Sequence, residues 1–300
     1  MRVLPIPAHG AEDVLVVPEG TDEGAVLTGT ADGSIWRIRH DGARIDLLAR
    51  TGGRPLGLEY FDGRVLVCDA HVGLLWLDPA TGTLAPITDS VDGRPMKFCN
   101  NAAITDDGTL WFTDSSLHFS IEQWKDDFIQ VTRSGRFLRL TPGGEPEVLV
   151  DGLAFSNGVA RSRSGEFLAV AETRDRTVVR WWLDGRRDFL VTDLPGYPDN
   201  IAEGSDGLIW VTLASPLDPV AELISRGPTW FKRQVTRIPD ALQPQVKRSV
   251  RVQAYDDDGT LVHDLDLPAD DYHMVTGVRE HDGRVWLGSL EEPAVACVDL

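Results

Sequence analysis

The sequence predicts an all-β fold, a six-bladed β-propeller with four-stranded blades. Three observations predict it. Glycine-centred turns recur six times, at Gly20, Gly63, Gly108, Gly165, Gly207 and Gly283. Each is followed by an apolar, alternating stretch (AVLTG, RVLVCD, TLWFTD, EFLAVAE, LIWVT, RVWLGS), the period-two pattern of a strand. A third such stretch follows in every repeat (SIWRI, LLWLD, RFLRLTP, VVRWWLD, VRVQAYD, AVACVD), and turns such as DG, PGG and DPATG lead into a short fourth, as in RIDLLAR, TLAPITD and EPEVLVD. Four strands recurring about every 40 to 75 residues describe propeller blades.

The elements then follow in chain order. The last blade has only three strands before Leu300, so MRVLPIP at the N-terminus is expected to supply the fourth. That closure would tie the ends together and hide a sheet edge. A doubly wound α/β fold would need helical periods between strands, and helical spacing is expected only in 216–248. Residues 1–300 are therefore read as one propeller domain, with 216–248 as a short helical, lid-like insert.

Composition narrows the function classes. Three hundred residues with 42% hydrophobic content allow a large core. No apolar run approaches the roughly 18 residues of a membrane span, and the N-terminus lacks a signal-peptide pattern. The expectation is a soluble cytoplasmic protein with no integral membrane segment. Three widely spaced cysteines argue against a disulfide framework. A formal charge of −18 argues against nucleic acid as a partner. The acidity is foremost a solubility feature, and secondarily a field that attracts cations.

One position of the repeat carries chemistry. Glu12, Asn100, Asn157 and Asp199 each stand eight residues before a turn glycine; Pro55 and Val275 fill that place in the other two repeats. Any one of the four reads as an ordinary polar strand start. Four in phase around an axis would converge on one point. Two carboxylates and two amide carbonyls form a hard oxygen site suited to one divalent cation, Ca²⁺ first, with Mg²⁺, Mn²⁺ or Zn²⁺ as alternatives. Such an ion could be catalytic, with Asp199 as general base, or a structural plug in the channel.

Propeller topology puts these four residues on the same face as the loops joining second and third strands. That face includes 28–33, 69–73, 113–119, 172–176, 213–250 and 289–293. His71, His118 and His273 fall there, and His118 is the expected proton shuttle. The insert 216–248 is basic within an acidic chain. It reads as a lid with Trp230 and Phe231 as apolar walls, as a surface helix touching a membrane or partner, or as a rim insert. Asn101, His71, His273, Trp230 and Phe231 complete the expected substrate contacts. Most tryptophans, Trp36, Trp111, Trp210 and Trp286 among them, read as blade packing. No Ser-His-Asp or Cys-His motif is visible, so covalent catalysis is the weaker mechanism.

The segments GAEDVLV, MKFCNNAAITDDGTLWFTDSS, DGLAFSNGVA, VAETRDRTVVRWWLDG, LPGYPDNIA and VTGVREHDGRVWLGSL carry a resemblance over essentially the whole length. The chain resembles the gluconolactonase/regucalcin and strictosidine synthase-like superfamily of six-bladed propellers, nearest its strictosidine synthase-like branch. The resemblance implies a divalent cation, usually Ca²⁺, at Glu12, Asn100, Asn157 and Asp199, and a general-base role for Asp199 in lactone hydrolysis. Two departures qualify it. Asn101 stands where members often have Asp. Thr276 occupies the place of the strictosidine synthase glutamate, and a threonine cannot make that proton transfer, so a Pictet–Spengler condensation is not expected. The expectation is a metal-dependent hydrolase of lactones or related cyclic esters acting on a small molecule. The alternatives are a non-catalytic binding or scaffold propeller with a structural Ca²⁺, and a biosynthetic natural-product enzyme using the same mouth.

Overall fold

Every repeat folds into a four-stranded antiparallel sheet, and six such sheets make a six-bladed β-propeller in the computed structural model, which describes residues 1–20, 22–238 and 246–300. Blade 1 comprises Val14–Val16, Val26–Gly29, Ser34–Arg39 and Arg44–Arg50. Blade 2 comprises Pro55–Phe61, Arg64–Asp69, Gly73–Leu77 and Leu84–Thr88. Blade 3 is Cys99–Ile104, Leu110–Asp114, Gly135–Leu140 and Glu147–Leu153. Blade 4 is Ser156–Arg161, Phe167–Glu172, Thr177–Trp182 and Arg187–Val191. Blade 5 is Gly196–Glu203, Ile209–Pro216, Val250–Tyr255 and Leu261–Leu267. Blade 6 is Val275–His281, Arg284–Ser289 and Ala294–Asp299, completed by Arg2–Pro5 from the N-terminus. That fourth strand pairs antiparallel with the third, from Arg2 opposite Cys297 to Pro5 opposite Ala294.

All six turn glycines have positive φ, between 70° and 88°, the region where a Cβ is costly. The turns are not alike, however. In blades 2 and 6, Phe61 pairs with Arg64 and His281 with Arg284, leaving two-residue Asp-Gly turns with both residues at positive φ. This is the primed geometry that matches strand twist. In blades 3 and 5, Ile104 pairs with Leu110 and Glu203 with Ile209, so these turns are longer. Counting back from the glycine is therefore one residue out of frame in blades 2 and 6. By register, Leu56 and Thr276, not Pro55 and Val275, correspond to Asn100, Asn157 and Asp199.

The core is distributed around the ring. Six apolar clusters each fill one interface between neighbouring blades, for example Phe112 and Leu138 with Leu66 and Leu74, or Trp210 and Val252 with Val278 and Leu287. Trp111, Trp210 and Trp286 are buried in them, as blade packing requires. All three cysteines are free and buried.

Helices are few, but one falls outside the expected segment. Helix α1 (Trp124–Gln130) lies in the loop between the second and third strands of blade 3. Seven residues are too short to be helical by propensity alone. Tertiary hydrogen bonds hold it: buried Asp127 accepts from Ser116 Oγ and from Thr132 Oγ1 (2.7 Å). Its pattern therefore shows no stop and start signals of its own. Within the insert, α2 (Pro219–Ser225) opens with Asp218, whose carboxylate caps Val220 N (2.7 Å) and Ala221 N (2.9 Å). Helix α3 (Thr229–Val235) follows. Residues 239–245 of the expected insert lie outside the described residues. No described helix is long and apolar enough to cross a membrane.

Candidate metal centre and its cavity

The start of each inner strand sets the site. In blades 3, 4 and 5 the pairing register slips by one residue, between Cys99 and Ala102, Ser156 and Val159, and Pro198 and Ile201. Each slip is a β-bulge, which re-aims side chains out of the sheet pattern. The first bulged residues are Asn100, Asn157 and Asp199. Glu12 stands just before the inner strand of blade 1. Gly158 shows how tight the axis is: a Cβ there would come within 2.1 Å of Ile201 N. Only glycine lets the strand carrying Asp199 approach the strand carrying Asn157.

Glu12, Asn100, Asn157 and Asp199 all line one cavity of about 1010 Å³, including its open mouth. The first three side chains are 1–3% exposed. Asn100 donates Nδ2 to Ser115 Oγ (2.8 Å), and Asn157 donates Nδ2 to Thr173 Oγ1 (3.2 Å). These bonds fix each amide through its nitrogen. Asn100 Oδ1, Asn157 Oδ1 and Glu12 Oε2 are left buried with no hydrogen-bond partner. Buried polar atoms are rarely orphaned, and three on one cavity floor need a common explanation. A divalent cation fits that need, because it takes oxygen ligands in numbers above four and leaves room for waters. No cluster of three or more His, Cys, Asp or Glu is gathered among the described residues. The channel set has two carboxylates and two amides instead.

Electrostatics agree with the donor set. Burial pushes Glu12 up to about 8, against the opposing pull of Arg54, with Asp199 and Asp13 raising it further. Burial likewise pushes Asp199 up to about 7, while a hydrogen bond from Asn157 opposes the rise. Asp199 is surrounded by protein yet keeps some accessible surface, because that surface faces the cavity.

The walls are apolar: Phe98, Ile121, Phe155, Met274 and Leu290 from the blade loops, and Trp124, Phe128 and Ile129 from α1. Ala221 and Ile224 of α2 close another side. One polar knot fastens these parts. Glu222 of α2 accepts from Arg174 and from Tyr197 Oη (2.9 Å). Arg174 lies over the Phe128 ring (4.9 Å), and Phe128 meets Tyr197 edge-on at 4.8 Å. Tyr197 is two residues before Asp199.

Other expected contacts are placed elsewhere. Trp230 and Phe231 are outside the cavity lining and exposed, 68% and 40%. The aromatic walls come from α1, which sequence reasoning missed because the helix carries no signal of its own. His118 is exposed on its loop, away from the lining. His71 pairs with Glu122 (2.9 Å), and His273 bridges Glu291 (3.0 Å) and Glu292 at the rim. Asn101 is buried and turned from the cavity; its Oδ1 accepts from Val159 N (3.0 Å), joining blades 3 and 4. Asp13 does the same between blades 1 and 2, accepting from Leu58 N (2.9 Å). The Asn-for-Asp departure at 101 thus leaves that clamp intact. Thr276 is fully buried and donates to Glu12 O (2.9 Å), joining blades 6 and 1.

The fold and this mouth define a class, the six-bladed propellers with a polar channel floor. The SMP-30/Gluconolactonase/LRE-like region model matches residues 22–218, and the chain belongs to that family. Among its relatives, Protein STRICTOSIDINE SYNTHASE-LIKE 10 of Arabidopsis thaliana is 31% identical, over 98% of this chain and 86% of that protein. Human (Homo sapiens) adipocyte plasma membrane-associated protein is 31% identical, over 96% of this chain and 76% of its own length. Solved structures with the same fold include a gluconolactonase from Xanthomonas campestris (TM-score 0.71, 17% identity, 99% of this chain and 88% of that one). Another is a calcium-binding regucalcin from Agrobacterium tumefaciens (TM-score 0.64, 15% identity, 94% and 82%).

Proposed function

We propose that this protein is a metal-dependent hydrolase of apolar lactones or related cyclic esters, with Ca²⁺ held by Glu12, Asn100, Asn157 and Asp199. The observation that carries this reading is the set of three orphaned, buried oxygens on the floor of one cavity. A divalent cation bound there would polarise the ester carbonyl and offset the charge of the two carboxylates. Asp199 accepts the proton of the attacking water, since it is the most accessible of the four cavity-lining residues. Ser115 and Thr173 hold the two amides so that their oxygens stay free for binding. The apolar walls exclude bulk water and suit a substrate larger and less polar than a simple sugar lactone. Thr276, spent on an inter-blade hydrogen bond, supports the exclusion of Pictet–Spengler chemistry.

The test begins with thermal unfolding of the metal-stripped protein against Ca²⁺, Mg²⁺, Mn²⁺ and Zn²⁺. An ion that binds only the native state raises the melting temperature. The expected result is a Ca²⁺ shift that Asp199→Ala abolishes, followed by turnover on a lactone panel that Asp199→Asn loses. Full activity of Asp199→Asn would remove the base assignment; no shift with any ion would remove the metal mechanism. The likeness to regucalcin, a calcium-binding protein, supports a second reading, a propeller stabilised by Ca²⁺ without turnover. That reading expects the shift but no hydrolysis of lactones, esters or phosphotriesters.

A further inference from the structure

The insert shows apolar side chains on both of its faces. Of the fourteen large apolar side chains exposed among the described residues, six lie in one stretch: Leu217, Val220, Leu223, Trp230, Phe231 and Ile238. On α2, Ala221 and Ile224 face the cavity, while Val220 (53% exposed) and Leu223 (72% exposed) face outward. On α3, Val235 is buried and Trp230 is open to solvent. A concentrated exposed apolar patch marks an interaction surface.

Charge selects the partner. The segment 216–248 holds six basic and three acidic residues in a chain with 29 basic and 47 acidic. Two of those acids are occupied: Asp218 caps α2, and Glu222 is held by Arg174 and Tyr197. Arg226, Arg233 and Arg237, interspersed in sequence with the apolar side chains, are exposed. Exposed aromatics and aliphatics interspersed with arginine are the composition of an interfacial amphipathic surface on anionic lipid. Location points the same way. Helix α2, which presents Val220 and Leu223 of this patch, also walls the apolar cavity, so compounds dissolved in a membrane would be released beside its mouth.

We propose that the outer face of α2 and α3 docks this protein on an anionic lipid surface, with Leu223, Trp230 and Phe231 inserted at the headgroup level and Arg226, Arg233 and Arg237 against the lipid charges. This does not depend on the catalytic reading, and its test involves no turnover. The full chain would be sedimented with phosphatidylcholine vesicles, with and without phosphatidylserine, at low and high salt. Binding is expected with the anionic vesicles and weakening with salt. Leu223→Ser/Trp230→Ser/Phe231→Ser and Arg226→Glu/Arg233→Glu/Arg237→Glu should each weaken it by at least about tenfold. All six side chains are exposed, so both variants should keep the parent melting temperature. Because the chain has nine tryptophans, brominated lipid should quench the parent's fluorescence more than that of Trp230→Phe. Equal binding to neutral vesicles would overturn the charge argument. Absence of all vesicle binding, or unchanged binding by both variants, would overturn the docking. So would a dimer abolished by the apolar variant without vesicle binding, since the face would then bind a second copy.

Discussion

At the residue scale, the two buried carboxyls link the site to pH. Without a cation, burial holds Glu12 at about 8 and Asp199 at about 7, against ordinary values of 4.5 and 3.8. The folded chain then binds more protons than the unfolded one. Their contribution to stability is complete below about pH 4 and is lost as pH rises through the two folded values. Metal-stripped protein should therefore melt at lower temperature as pH climbs from about 5 to 8. Ca²⁺ requires the ionised forms, so its binding should tighten over the same window and release protons. Calorimetry in two buffers of different ionisation enthalpy measures that release. A melting temperature of the stripped protein that rises with pH over this window would contradict the assignment. Of the residues at this scale, Glu12, Asn100, Asn157 and Asp199 were legible because their spacing repeats. The role of Asn101 was not, since a buried amide that joins two blades has the same sequence look as one that faces a substrate.

At the scale of elements, α1 and α2 form the roof together, although only the second lies in the expected insert. The Arg174–Glu222–Tyr197 knot ties α2 to a loop of blade 4 and to the strand carrying Asp199. Arg174→Ala leaves Glu222 without its buried ion-pair partner while touching no inter-blade core. Amide exchange of 219–225 should accelerate, whereas the inner strands should stay protected, as expected for local rather than global opening. Hydrogen-exchange mass spectrometry separates the two; unchanged exchange in α2 would show that the knot does not hold it. The arrangement was hidden from the sequence because its members lie at 128, 174, 197 and 222, with no period between them.

At the scale of the whole molecule, stability depends on closing a ring. Six apolar interfaces lie between six blades, and the strand Arg2–Pro5 completes blade 6. Removing residues 1–7 leaves the third strand of blade 6 as an open edge, with unpaired backbone groups along Ala294–Cys297. The truncated chain should melt at lower temperature and self-associate. Light scattering together with a thermal melt checks this. A truncated protein as stable and monodisperse as the parent would mean that the closing strand contributes little.

The sequence by itself determined the fold class, the six turns, the closing strand and the four polar residues of the channel floor. All are periodic features, and a repeat writes each local requirement several times. The tertiary structure alone decided the true frame of blades 2 and 6, because it depends on how two residues pair across a turn. It also decided which side chains wall the cavity and which face outward. Those outcomes turn on contacts between distant segments, where burial and shape complementarity choose among local patterns that look alike.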